Sequence, residues 1–117
     1  MQHQFEDLKV WQKAMELVKA GYKISQGFPK EEQYGLTGQL RRALVSVPVN
    51  VAEGKGRSHS KEYVQFLYMA RGSIYESMTL IHLSRDLGYT TKDQATRLLS
   101  DCSEVTAMLN GLIQAVR

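Results

Sequence analysis

The stretch TKDQATRLLSDCSEVTAMLNGLIQAVR, residues 91–117, decides the fold class. Its apolar residues Ala95, Leu98, Cys102, Val105, Leu109, Leu112 and Val116 recur at alternating steps of three and four. That spacing gathers side chains on one face of an α-helix. Thr91, with Gln94 three residues on, reads as a capping box in which each side chain satisfies the other residue's backbone N–H. Just upstream, Gly88 reads as the residue that closes the preceding helix, because glycine accepts the left-handed exit at no steric cost.

Working outward, the same period covers Ser60 to about Leu87, with Tyr63, Phe66, Leu67, Ala70, Ile74, Ile81 and Leu87 as contacts. Ser60 reads as its N-cap, with Glu62 in the favourable first turn. Small residues Ala70, Gly72, Ser73, Ser77 and Ser84 let a neighbouring helix approach closely. Gly54-Lys55-Gly56-Arg57-Ser58-His59 reads as a flexible basic loop. Before it, Leu36, Leu40, Ala43, Leu44, Val47 and Val51 mark a helix from about Glu31 to Glu53. Pro48 lies inside that helix, removes the bond to the Leu44 carbonyl and is expected to kink it.

The first helix runs from about Asp7 to Gln26 on two adjoining apolar rows. One row is Leu8, Trp11, Met15, Val18 and Tyr22, and the other is Val10, Ala14, Leu17, Gly21 and Ile24. Asp7 is its expected N-cap, with Phe5 just outside, and Gly27-Phe28-Pro29 ends it. Four amphipathic helices with short connections define an all-α protein, an antiparallel up-down-up-down four-helix bundle whose second helix kinks near Pro48. Residues 1–117 form one domain on this reading, with ordinary globular composition at 43% hydrophobic and 23% charged. No apolar run approaches the ~18–20 residues of a membrane helix, and the opening MQHQFEDLKV lacks the pattern of a secretory signal. One cysteine cannot form an internal disulfide, which fits a reducing cytoplasm.

Catalytic chemistry finds little footing. No glutamate is followed by histidine three residues on, as a bundle di-metal site requires, and His3, His59 and His82 share no ligand spacing. Neither a metal nor a cofactor is expected. Cys102 sits on the apolar stripe of the last helix and reads as core rather than nucleophile. Gly54-x-Gly56 lacks the strand and third glycine of a dinucleotide loop and reads as a turn.

Charge is the uneven feature. The chain carries +3 overall. Between Arg41 and Arg71 six basic residues face two acidic ones, a net +4 that leaves −1 for the rest. Arg41, Arg42, Lys55, Arg57 and Lys61 are the candidate contacts to nucleic-acid phosphates, where cations gain by releasing counterions. A merely solvated loop is the alternative. A polar row on the second helix, Gln39, Arg42, Ser46, Asn50 and Glu53, is by default its wet face, yet Arg71 and Glu76 near the middle of the third helix make an ion pair between the two feasible. Asn50, Glu53, Arg71 and Glu76 are therefore expected to form a structural polar network, with Asn50 capping a carbonyl freed at Pro48.

At this point a family likeness emerges. Phe28-Pro29-Lys30-Glu31-Glu32-x-Tyr34-Gly35-Leu36, Gln39-Leu40-Arg41-Arg42-Ala43, Ser46-Val47-Pro48-x-Asn50-x-Ala52-Glu53-Gly54, Gly56-Arg57 and Ala70-Arg71-Gly72-Ser73-x-x-Glu76 resemble the 23S ribosomal RNA intervening-sequence family of four-helix bundle proteins. With the opening Leu8-x-Val10-Trp11-x-x-Ala14, the likeness spans nearly the whole chain. It implies a small bacterial bundle whose relatives assemble as ring-like homopentamers. A structurally similar retroelement accessory variability protein binds nucleic acid and a reverse transcriptase through a basic pentameric surface. Arg41, Arg42, Arg57 and Arg71 match family positions, whereas Lys55 and Lys61 are only nearby. The expectation is a non-enzymatic homo-oligomer, a pentamer by that likeness, that binds RNA or DNA. A scaffold for a protein partner, with no nucleic-acid ligand, is the alternative.

Overall fold

A computed structural model of the chain describes residues 4–117, and every regular element among them is helical. The α-helices are α1 (Lys9–Ser25), α2 (Leu36–Lys55), α3 (Ser60–Asp86) and α4 (Lys92–Val116), with single 3-10 turns at Gln4–Asp7 and Lys30–Glu32. Each helix packs on the next in the chain and α1 also packs on α4, so the four enclose one core. The particle measures 44 × 23 × 20 Å. Its long dimension is that of α3, whose 27 residues rise ~1.5 Å each.

The core follows the helical period. Leu17, Leu40, Leu44, Val47, Val51, Leu67, Ile74, Ile81, Val105 and Leu109 are almost inaccessible to solvent. On α3 two rows of seven-residue period are buried, Leu67-Ile74-Ile81 and Ala70-Ser77-Ser84. The second row puts small side chains where a neighbour comes close. Its hydroxyls cost nothing unpaired: Ser77 donates to the Ser73 carbonyl and Ser84 to that of Leu80, each at 2.8 Å. Between α1 and α2, a Cβ on Gly21 would run into the Leu44 side chain.

The helix ends show where tertiary context overrides local pattern. Gly88 has φ +80° and closes α3, with Tyr89 N–H bonding the Ser84 carbonyl at 2.8 Å and Gly88 N–H that of Arg85 at 3.0 Å. The Thr91–Gln94 capping box is formed in both directions. Asp7, by contrast, is not the N-cap of α1: it lies in the Gln4–Asp7 turn, and Leu8 takes the cap position without a side-chain bond. Gly27 does not leave α1 through a left-handed residue. The helix tightens instead, with Gly27 and Phe28 N–H groups bonding carbonyls three residues back. His59, not Ser60, caps α3, again without a side-chain bond.

The start of α2 departs furthest. The chain makes one 3-10 turn, bends at Gly35 and begins the α-helix at Leu36 rather than Glu31. The reason is Glu32. One carboxylate oxygen accepts from the Leu36 N–H at 3.0 Å and the other from the Tyr89 hydroxyl at 3.0 Å, so an upstream side chain caps the helix from outside. At the other end α2 runs through Pro48 to Lys55 and takes Gly54 and Lys55 out of the expected loop. Leu87 is 55% exposed rather than a core contact, and Ile113 is more deeply buried than its neighbour Leu112. No helix among the described residues is long and apolar enough to cross a membrane.

Candidate functional site

The site grows from a glycine. Gly54 sits where the last turn of α2 meets the first turns of α3, and a Cβ there would stand 2.8 Å from Phe66 Cβ and 3.0 Å from Tyr63 Cδ1. Only a residue without a side chain lets the two backbones come this near. Tyr63 and Phe66 are three residues apart, hence on one face of α3. Each carries a cation, Lys55 from the last turn of α2 and Arg57 from just beyond it. Lys55 Nζ lies 5.9 Å from the Tyr63 ring centroid, and Arg57 Cζ lies 4.5 Å from that of Phe66. The ring faces attract the charges and hold them in place. Neither cation forms an ion pair among the described residues, so their charge stays available to an outside anion. Lys61, exposed on the first turn of α3, adds a third.

Arg41 and Arg42 lie elsewhere, in the second turn of α2 and roughly 20 Å from Lys55 along the helix axis. Arg42 is exposed, but Arg41 is occupied. Its Nε donates to Ser25 Oγ at 2.9 Å, its Nη2 to the Tyr22 carbonyl at 3.3 Å, and its guanidinium covers the Tyr22 ring at 4.5 Å. It fastens the end of α1 to α2. The five candidate contacts thus fall into two groups, with Lys55, Arg57 and Lys61 together at one end.

The expected polar network is also redistributed. Asn50 Nδ2 donates to the Ser46 carbonyl at 2.8 Å and to Ser46 Oγ at 2.9 Å, and that hydroxyl meets Ser73 Oγ at 2.8 Å. This link joins α2 to α3, and the carbonyl it covers is that of Ser46, not Leu44. Glu53 and Glu76 are exposed and form no ion pair among the described residues. Arg71 turns to α4, donating to Asn110 Oδ1 at 2.9 Å and lying 4.9 Å above the Tyr68 ring.

Sequence reading missed the roles of Tyr63, Phe66 and Tyr68, which it took for core or did not single out. The available signal was an aromatic pair at helical spacing just after a basic segment. Burial pushes the Tyr63 phenol above its usual value, and its buried hydroxyl has no partner among the described residues. Cys102 is fully buried, and burial, followed by the nearby Asp101 charge, pushes its thiol up to about 12. That matches a core residue. His59 and His82 are exposed, while His3 lies outside the described residues. Among the described residues no three His, Cys, Asp or Glu side chains stand close enough to hold a metal ion.

A second surface feature lies on the opposite flank of α2. Trp11, Met15 and Val18 of α1 and Val45, Pro48, Val49 and Ala52 of α2 line an open apolar groove of about 280 Å³. The two apolar rows of α1 divide here: Val10 and Leu17 enter the core, whereas Trp11, Met15 and Val18 remain half-buried at the groove.

Comparison with known proteins agrees with this architecture. A family model described as 23S rRNA-intervening sequence protein matches residues 6–111. A crystal structure of a protein with unknown function from the S23 ribosomal protein family of Bacteroides thetaiotaomicron superposes with a TM-score of 0.80 at 20% identity. The match covers 89% of this chain and 97% of that one, and at such identity it establishes the shared fold. No curated protein matches the chain.

Proposed function

The chain belongs to the family of 23S rRNA-intervening sequence proteins, and from that premise we propose that it is a non-enzymatic, self-associating helical bundle. In this reading it binds RNA or DNA through the basic surface around the α2–α3 connection, in the bacterial cytoplasm. One observation carries the reading: Lys55 and Arg57 are seated on the faces of Tyr63 and Phe66, unpaired with carboxylates, beside exposed Lys61. Cations preset on a rigid helix face lose little freedom on meeting a phosphate backbone.

Self-association supplies the affinity that a net charge of +3 does not. The apolar groove lined by Trp11, Met15, Val18 and Val49 is the surface a second subunit would cover. Five copies, the number the family likeness implies, would repeat the basic end around a ring and engage one strand at several points. Reversing charge at Lys55, Arg57 and Lys61 together should abolish binding to a nucleic-acid oligonucleotide while circular dichroism stays unchanged. Undiminished binding would overturn the proposal. In light scattering the ring should weigh about 67 kDa, from five chains of 13.3 kDa.

The same apolar groove favours one other reading, a scaffold that presents this face to a protein partner. Partner binding that persists at high salt, with no nucleic acid in the purified particle, would select it.

A further inference from the structure

We propose that the pocket between α3 and α4, lined by Tyr68, Arg71, Asn110, Ile113, Gln114 and Arg117, is a binding site for a phosphate group. It is an open pocket of about 280 Å³, roomy enough for a phosphate and part of the molecule that bears it. Two guanidinium groups converge on one ring. Arg71 lies over the face of Tyr68 at 4.9 Å, and Arg117 Nη1 donates to the Tyr68 hydroxyl at 3.0 Å.

The chemistry of the lining is one-sided. No acidic side chain lines the pocket, and neither arginine forms an ion pair among the described residues. Among the described residues the acceptors used are neutral. Asn110 Oδ1 takes a bond from Arg71 at 2.9 Å, which leaves the amide N–H groups as its free end. The Tyr68 oxygen accepts from Arg117, so its own proton is free to donate. Arg71 and Arg117 keep further N–H groups unengaged, and Gln114 brings another amide. Such a ring of donors with two positive charges suits a dianionic oxygen cluster, and guanidinium forks match the oxygens of phosphate. Arg71 is half-buried and held by both Tyr68 and Asn110, so its planar group is oriented before a ligand arrives.

This site is separate from the cations seated on Tyr63 and Phe66. Phe66 and Tyr68 are two residues apart on α3 and so point to nearly opposite sides of the helix, at ~100° per residue. The first pair faces α2 and the second faces α4. The site does not depend on the nucleic-acid reading, because phosphate is common to a polynucleotide strand and to a free phosphomonoester.

The test is a titration of isotopically labelled protein with inorganic phosphate at fixed ionic strength, followed by nuclear magnetic resonance. Saturable shifts should be confined to the Arg71 and Arg117 side-chain N–H groups, the Asn110 amide and Tyr68. Arg71→Gln with Arg117→Gln should weaken binding at least about tenfold. Tyr68→Phe should weaken it a few-fold with no change of net charge. Absence of saturable shifts in the unaltered protein, or shifts that persist in the double variant, would overturn the proposal. The titration of the unaltered protein decides the matter even where the double variant fails to fold. Single-stranded RNA and a nucleoside monophosphate then identify the source. RNA that moves the same signals and displaces phosphate supports the site with a strand as its ligand. A monophosphate that binds while RNA leaves these signals unmoved supports it with a free phosphomonoester. RNA that leaves the signals of the Lys55–Arg57 end unmoved, with phosphate still held here, would sink the functional proposal alone.

Discussion

The α2–α3 seam and the α1–α4 seam join helices of similar amphipathic character, yet they close very differently. At α2–α3 the backbones meet at Gly54, and hydroxyls of Ser46 and Ser73 touch at 2.8 Å. At α1–α4 the polar link among the described residues is one ion pair, half-buried Lys13 with exposed Glu104 at 3.3 Å. Beyond it an open groove of about 730 Å³ runs between Lys23, Gln26, Arg97 and Asp101 over Ile24 and Leu98. Small residues let one pair of helices close on each other, whereas the other pair leaves a groove rimmed by Lys23, Arg97 and Asp101. The tight seam has a second effect. Because Gly54 brings α2 against Tyr63 and Phe66, the faces of those rings are left to receive Lys55 and Arg57. Close packing and the basic surface are two results of one crossing.

The contrast can be broken first at Cys102, one turn beyond Leu98 in the floor of the loose groove. The thiol is pushed from 9.0 to about 12, and the reactive species is the thiolate. Labelling by Ellman's reagent at pH 8 should therefore be far slower in the folded protein than in the unfolded one, because the buried thiol is out of the reagent's reach until the bundle opens. Rapid labelling of native protein would show that the loose seam opens to the core. The sign for stability follows from the raised value. The unfolded thiol ionises near 9.0 while the folded one keeps its proton to about 12. Its contribution is complete below pH 9 and is lost as pH rises from there toward 12. Urea melts of the Cys102→Ala protein should show a weaker decline across that window.

Gly54→Val should be the most damaging seam substitution, costing about 3 kcal/mol in urea unfolding, because the neighbouring Cβ and backbone of α3 cannot swing away. It should also weaken nucleic-acid binding by shifting the ring faces. Ser73→Ala, in the same seam, should cost about 1 kcal/mol, since Ser46 keeps its bond from Asn50. Gly111→Ala on α4 should do the opposite and stabilise by about 0.5–1 kcal/mol, because nothing lies within 4 Å of the new methyl. Last, Lys13→Ala should leave Tm within measurement scatter, as its partner is solvent-screened. A large effect there would mean the loose seam depends on its ion pair.

What the sequence made legible follows from the range of the forces involved. The four helices, the capping box at Thr91 and the left-handed Gly88 depend on residues within one or two turns, and all were readable from spacing. Gly54 was read as a flexible loop residue because its demand for space comes from Phe66, which is remote until α3 folds back. Arg41 and Arg71 were read by charge, but their roles depend on Tyr22, Ser25 and Asn110, which sequence spacing does not connect to them. The α2 start was misplaced for the same reason: its cap is completed by Tyr89, 57 residues from Glu32.

That last bond bears on how the chain reaches its native state. The first N–H of α2 is held by a carboxylate whose other oxygen is held by the turn between α3 and α4. The entry to the second helix and the last connection of the bundle are thus ordered as one unit. In amide hydrogen exchange, Leu36 should be protected together with Tyr89, as members of one cooperative opening. Glu32→Gln should uncouple them, so that the helix start frays while the α3–α4 turn stays closed.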